Sequence, residues 1–266
     1  MISVKDQLGN TIRLERPATR VVSLVPSQTE LLYYLGVVPI GQTVFCIHPS
    51  ETFKESIKIG GTKKLQIDKI KSLNPDLIIG NKEENVQDQI QELRQDYPVY
   101  MSDVNTLEDA YKMIEQVGQI TGKKIESDQL GIDVVAQFNR LITPSSVRPS
   151  VLYLIWNDPY FGVGRRTFIH DLLEIGGFTN ALKDRERYPE LSPEQVATIN
   201  PDYIFLSSEP FPFSEEHKKA VQLQFPESKV VLVDGEMFSW YGSRLLQTPE
   251  YINRLISDIG GYEPKS

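Results

Sequence analysis

One cysteine, three histidines and two tryptophans stand among 266 residues. Cys46 by itself forms no internal disulfide, so a disulfide-stapled scaffold is excluded. A chain of this length buries a core without one. His48, His170 and His217 lie far apart in sequence. None belongs to a His-x-x-x-His or His-Glu-x-x-His pattern, the spacing that sets imidazoles on one helix face for a metal, so no metal site is expected. Each reads as a surface or packing histidine. Cys46 stands two residues from His48, but such neighbours need not face each other, which argues against a nucleophile pair. There is no Gly-x-Ser-x-Gly elbow and no phosphate-binding Walker loop. Gly162-Val-Gly164 lacks the third glycine of a dinucleotide fingerprint. No catalytic residue is expected.

Positive charge is also scarce. Lys and Arg total 28 against 36 Asp and Glu, a net charge of −8, whereas a nucleic-acid binder carries a basic stripe. No window reaches the roughly 18 unbroken apolar residues of a membrane span. The first residues, Met1-Ile-Ser-Val-Lys5, show no basic stretch leading into an apolar one. The expected location is the cell envelope if an export signal was removed ahead of Met1, and the cytoplasm if Met1 is the native start.

What the chain does have is alternation. Arg20-Val-Val-Ser-Leu-Val25 reads as a strand ending at Pro26. Ser27-Gln-Thr-Glu30 reads as a capping box, with Ser27 as N-cap and Glu30 three residues on. Leu31, Leu32 and Leu35 give that helix its apolar face, and Gly36 sits where a helix ends. Ile67, Ile70 and Leu73 predict a helix stopped by Asn74-Pro-Asp76, with a strand at Leu77–Ile79. A helix over Val86–Leu93, a strand at Val99–Met101 and a helix capped by Thr106 follow. From Lys123 to Ile142 no strand signal appears, and Leu130, Val134, Phe138 and Leu141 share one face of a single long helix. Thr143–Pro149 breaks it.

The second half resembles the first. Ser150–Ile155 is a strand, and Arg165 and Arg166 precede a helix over 167–175. Ser192-Pro-Glu-Gln195 opens another helix, with Ser192 as N-cap and Pro193 at the first helical position. That helix stops at Asn200-Pro-Asp202 before the strand Tyr203–Leu206. Ile70–Ile79 thus lies over Val196–Phe205, 126 residues further on. The expected fold is α/β, two Rossmann-like lobes with mostly parallel sheets joined by one long backbone helix. The boundaries are 1–120, 121–144 for the helix, and 145–266. A cleft between the lobes is the expected binding place.

Open α/β sheets bind ligands at the loops after their strands. Trp156, Tyr160 and Phe161 follow the first strand of the second half, with Arg165 just beyond. Trp240, Tyr241 and Arg244 follow the strand Val230–Val233. Large rings with a few guanidinium groups suit a planar or macrocyclic, anionic ligand. The competing reading is that these rings pack a lobe interface.

Asp6-Gln-Leu-Gly-Asn-Thr-Ile-Arg-Leu14 followed by Arg20–Glu30, then Gly60-Gly-Thr62, Leu73–Asp76, Phe161–Arg165 with Ile175-Gly-Gly177, and Ser207–Phe213 together resemble the substrate-binding proteins of ABC importers. The likeness is to their cobalamin and siderophore type, the helical backbone metal receptor group, and it covers nearly the whole chain. The resemblance implies a monomeric periplasmic solute receptor. It would hold a corrinoid, haem or ferric siderophore between its lobes, with cobalt or iron brought by the ligand and no cofactor of its own. It also implies one acidic residue on each lobe docking onto arginines of an ABC permease. Glu84 is the candidate in the first half, Glu215 or Glu216 in the second. A cytoplasmic enzyme, metal chaperone or sensor on the same bilobed body is the alternative, since fold does not fix function.

Overall fold

The computed structural model describes residues 1–142 and 148–261. Most of the expected break at Thr143–Pro149 lies outside the described residues. So do the end of the expected helix 121–144, the start of the expected lobe 145–266 and that lobe's last five residues. The chain forms two compact units. Unit 1 comprises Met1–Val104, Glu108–Val135 and Trp240–Leu245; unit 2 comprises Asn105–Leu107, Ala136–Ser239 and Leu246 onward.

Unit 1 opens with an antiparallel hairpin, β1 (Ile2–Lys5) and β2 (Thr11–Leu14). The sequence reading missed it because each strand is only four residues long. The elements that follow are β3 (Val21–Ser23), α1 (Pro26–Tyr34), β4 (Gly41–Gln42), α2 (Ser50–Phe53) and the short pair β5 (Gly60–Gly61) and β6 (Lys64–Leu65). After them come α3 (Ile67–Ser72), β7 (Leu77–Asn81), α4 (Gln87–Arg94), β8 (Val99–Ser102), α5 (Leu107–Thr121) and α6 (Lys124–Phe138). The main sheet runs β4-β3-β7-β8, and every pairing in it is parallel. All five residues of β7 are buried, as a parallel strand covered on both faces requires. Val22, Ile78, Val99 and Met101 meet Ile70 of α3 and Ile90 and Leu93 of α4 in one apolar cluster.

Two local expectations need correction. The capping box at Ser27 does not form: Val25 is the N-cap of α1, Pro26 takes the first helical position, and no side chain caps the helix. Proline's fixed φ suits that position, which moves the helix start ahead of Ser27, and the Glu30 carboxylate is engaged elsewhere. The helix expected over 123–142 ends at Phe138. Arg140 N–H donates to Gln137 at 2.9 Å and Leu141 N–H to Phe138 at 3.1 Å, the tighter closing common at a frayed helix end. Gly36 does end α1, at φ +76°.

Unit 2 contains β9 (Ser150–Trp156), β10 (Tyr160–Gly162), α7 (Phe168–Ile175), β11 (Thr179–Asn180), β12 (Glu190–Leu191), α8 (Pro193–Ile199) and β13 (Tyr203–Ser207). It continues with α9 (Glu215–Gln224), β14 (Lys229–Val233), α10 (Glu236–Ser239) and α11 (Thr248–Asp258). Its sheet runs β12-β10-β9-β13-β14, with β11 also on β9. β11, β13 and β14 pair in parallel, β10 and β12 antiparallel. Leu152, Leu154, Ile204 and Leu206 pack with Val196 of α8 and Val221 of α9 in one cluster. Rings form a second: Phe238 lies 5.4 Å from Tyr153, 6.4 Å from Phe205 and 6.1 Å from Tyr251.

The repeated Asn-Pro-Asp does the same work in each unit. Asn74 and Asn200 end α3 and α8 in the left-handed region, at φ +46° and +44°. Asp76 then accepts from the backbone N–H of Thr19 at 3.0 Å and of Arg20 at 2.9 Å. Asp202 accepts from Ser150 N–H and Oγ, each at 2.7 Å. Each aspartate fixes the start of the neighbouring parallel strand, so Val21 stands opposite Leu77 and Val151 opposite Tyr203. The capping box at Ser192 forms in full, with Pro193 at the first helical position.

Candidate functional site

The side chains singled out from the sequence fall into three groups. The first is on unit 2. Trp156 closes β9 and is 41% exposed, its ring edge-on to Phe211 at 5.5 Å. Phe161 is half-buried on β10. Tyr160 is buried and donates its hydroxyl hydrogen to Gln224 Oε1 at 2.8 Å. Arg165 is exposed and pairs with Glu186 at 3.0 Å, and Arg166 reaches the same carboxylate at 3.7 Å. Two guanidinium groups on one carboxylate leave this corner with positive charge. Arg166 and Arg187 both hold positive φ, +63° and +61°, a strained conformation for arginine. Crossed backbone bonds fix them: Gly164 N–H donates to Arg187 O at 2.7 Å and Arg187 N–H to Arg165 O at 2.9 Å.

Trp240, Tyr241 and Arg244 form the second group, and they belong to unit 1 although they come late in the chain. Trp240 is 6% and Tyr241 7% exposed. The Tyr241 hydroxyl bonds to the Ser27 and Ser102 side chains, and burial holds its pKa far above the usual phenol value. Arg244 forms an ion pair with Glu30 while its guanidinium lies 5.0 Å from the Trp240 ring. Trp240 is edge-on to His48 at 5.5 Å.

Third come the acidic residues. Glu84 follows β7 and is half-buried. Desolvation raises its carboxyl pKa, opposed by the charge of Lys63 and reinforced by that of Glu83. Glu215 and Glu216 are exposed in the first turn of α9, where a negative charge is favoured by the helix dipole.

The sequence reading missed a surface on unit 1. Between β4 and α2 the loop exposes Val44, Phe45 and Ile47, with Ile57 exposed nearby in the chain. This loop follows a strand of a parallel sheet, the position where such folds place ligand contacts. The Phe45 ring lies so close to Gly61 that a β-carbon there would sit 3.0 Å from it. Cys46 is the loop's inward anchor. Its thiol is fully buried and within 3.1 Å of the Thr29 and Thr43 hydroxyls, and burial pushes its pKa up. The available signal was an apolar stretch after a strand, but β4 is two residues long and carries no pattern.

His170 Nδ1 lies 3.0 Å from the Asn180 amide, and His217 Nδ1 accepts from Ser214 N–H at 3.1 Å; both are structural partners. Among the described residues, no three His, Cys, Asp or Glu side chains are grouped to hold a metal ion. None of their helices is long and apolar enough to cross a membrane.

Comparisons agree with this architecture. The vitamin B12-binding protein of Vibrio campbellii is 27% identical over 199 residues, 72% of this chain and 71% of that protein. The uncharacterized ABC transporter substrate-binding lipoprotein YvrC of Bacillus subtilis is 24% identical over 216 residues, 76% of this chain and 68% of that one. Among solved structures, the periplasmic vitamin B12-binding protein BtuF of Vibrio cholerae superposes with a TM-score of 0.74 at 22% identity, covering 91% of this chain and 98% of that chain. A periplasmic haem-binding protein from Pseudomonas aeruginosa gives 0.78 at 20% identity, covering 90% and 92%. These likenesses establish the fold. The profile described as periplasmic binding protein matches residues 21–231, most of both main sheets, and the chain belongs to that family.

Proposed function

We propose that the chain is the solute receptor of an ABC importer, taking up a bulky metal chelate (a corrinoid, haem or ferric siderophore) and delivering it to a permease. The observation that carries this reading is the family match over 21–231, joined to relatives named for vitamin B12 and neighbours named for haem. Exposed rings and aliphatic groups at strand ends, Phe45 and Ile47 on unit 1 and Trp156 on unit 2, supply apolar area for a large ring system. Phe161 extends the unit 2 surface, while Tyr160 packs in the unit 2 core. Arg165, with Arg166, offers guanidinium groups to ligand carboxylates or phosphate. Trp240, Tyr241 and Arg244 act from beneath, supporting the loop that carries Phe45. The family points to the cell envelope as the working location.

Glu84 on unit 1 and Glu215 and Glu216 on unit 2 are the proposed contacts for permease arginines. Reversing their charge should lower transport and leave ligand affinity unchanged.

The test is titration of the purified protein with cyanocobalamin, haemin and a set of ferric siderophores, following tryptophan fluorescence and equilibrium dialysis. Micromolar or tighter binding of one class, weakened by Trp156→Ala, supports the receptor reading. Failure of all three classes to bind overturns the ligand class.

A further inference from the structure

The six residues Trp240–Leu245 leave unit 2 after Ser239, pack in unit 1, and return to unit 2 at Leu246. Five of the six are buried, and Arg244 is nearly so. They lie along one face of α1. Tyr241 bonds to Ser27, and Gly242, at φ +125°, packs so closely that a β-carbon would come within 3.2 Å of Leu31 Cβ. Glu30 takes the remaining position: its Oε1 accepts from Ser243 Oγ at 2.9 Å and its Oε2 from Arg244 Nη2. Residues 27, 30 and 31 are the i, i+3 and i+4 positions of a helix face, so α1 presents a matched set of contacts to this segment.

We propose that Trp240–Leu245 is a strap, and that Glu30 is the positioning residue that sets it and, through it, the ligand-facing loop of unit 1. The linkage runs through adjacent groups. Glu30 holds Arg244, whose guanidinium lies over the Trp240 ring; Trp240 meets the edge of His48; and His48 belongs to the loop that exposes Val44, Phe45 and Ile47. The Glu30 and Arg244 side chains are only 16% and 11% exposed. Charges this sheltered are screened weakly by solvent, so loss of either one is costly. The pair also cancels the charge of Arg244 within unit 1. This inference rests on the receptor reading for its affinity arm alone.

The test uses the full chain in a Trp156→Phe background, where Trp240 is the one remaining tryptophan. Glu30→Gln is expected to raise acrylamide quenching of Trp240 and to speed amide exchange over 240–245. It should weaken binding of whichever of cyanocobalamin or haemin the parent protein binds by about tenfold. Asp76→Ala, which loosens unit 1 at a different place, should leave Trp240 quenching unchanged, separating positioning from general loss of stability. Ser243→Ala removes only the neutral donor to Glu30 and should show the same changes in smaller degree, which keeps the test open if Glu30→Gln fails to fold. Unchanged quenching and exchange in the folded variants overturn the strap. Raised quenching and exchange in a parent protein that binds none of cyanocobalamin, haemin and the ferric siderophores support the strap and overturn the proposed ligand class instead.

Discussion

Asn74 and Asn200 hold the same left-handed backbone, φ +46° and +44°, 126 residues apart, and each ends a helix and turns the chain toward a buried parallel strand. Asparagine tolerates this region better than other residues with a β-carbon. Asn74→Ala and Asn200→Ala should each cost about 1–2 kcal/mol, while the glycine variants should lie within about 0.5 kcal/mol of the parent. Urea unfolding decides it; alanine variants as stable as the glycine ones would contradict this account.

Asp202 fixes the start of β9 by accepting two bonds from Ser150. Asp202→Ala leaves the Ser150 donors without that acceptor and should cost about 1–3 kcal/mol. Amide exchange of Val151 should quicken while that of Val21, on the other unit, stays as it was. Equal quickening at both would mean the two aspartates do not act locally.

Ser192 caps α8 reciprocally with Gln195, at 3.3 Å and 2.9 Å. Ser192→Ala should lower stability by about 1 kcal/mol. At Ser27, where the same sequence pattern forms no cap, loss on Ser27→Ala should instead follow its bond to Tyr241. A Tyr241→Phe partner variant tests that: the two losses should be non-additive in a double-mutant cycle.

Those two serines show what was readable in the sequence and what was not. Ser192-Pro-Glu-Gln195 and the helix-ending turns at Asn74 and Asn200 are settled within a few residues of themselves, so pattern and structure agree. Ser27-Gln-Thr-Glu30 has the same local pattern, but its glutamate is claimed by Arg244, 214 residues downstream. No spacing rule carries a contact of that range. The loop Val44–Ile47 was missed for a related reason: its strand is two residues long, held by neighbours and not by its own periodicity. The strand-end position of Trp156 was legible because it closes a seven-residue strand with a clear apolar run.

Glu84 bears on pH. Desolvation raises its folded-state pKa above the ordinary 4.5, so from about that value upward the folded protein binds more protons there than the unfolded chain. Stability contributed by this group is therefore full below the unfolded pKa and is lost as pH rises through the folded one. Glu84→Gln should raise the urea midpoint at pH 7 and bring little change at pH 4. A variant less stable than the parent at pH 7 would show that Lys63 outweighs desolvation.

The strap also sets an order of events during synthesis. Unit 1 contains both Met1–Val104 and residues 240–245, which follow nearly all of unit 2 in the chain. Its sheet can assemble once β8 is made, yet Ser27, Glu30 and Leu31 wait for partners until residues 241–244 have been translated. The unit that begins first is thus completed only after the sheet of the other has been made. Any nascent chain cut short before residue 240 leaves the Ser27, Glu30 and Leu31 face of α1 without this cover.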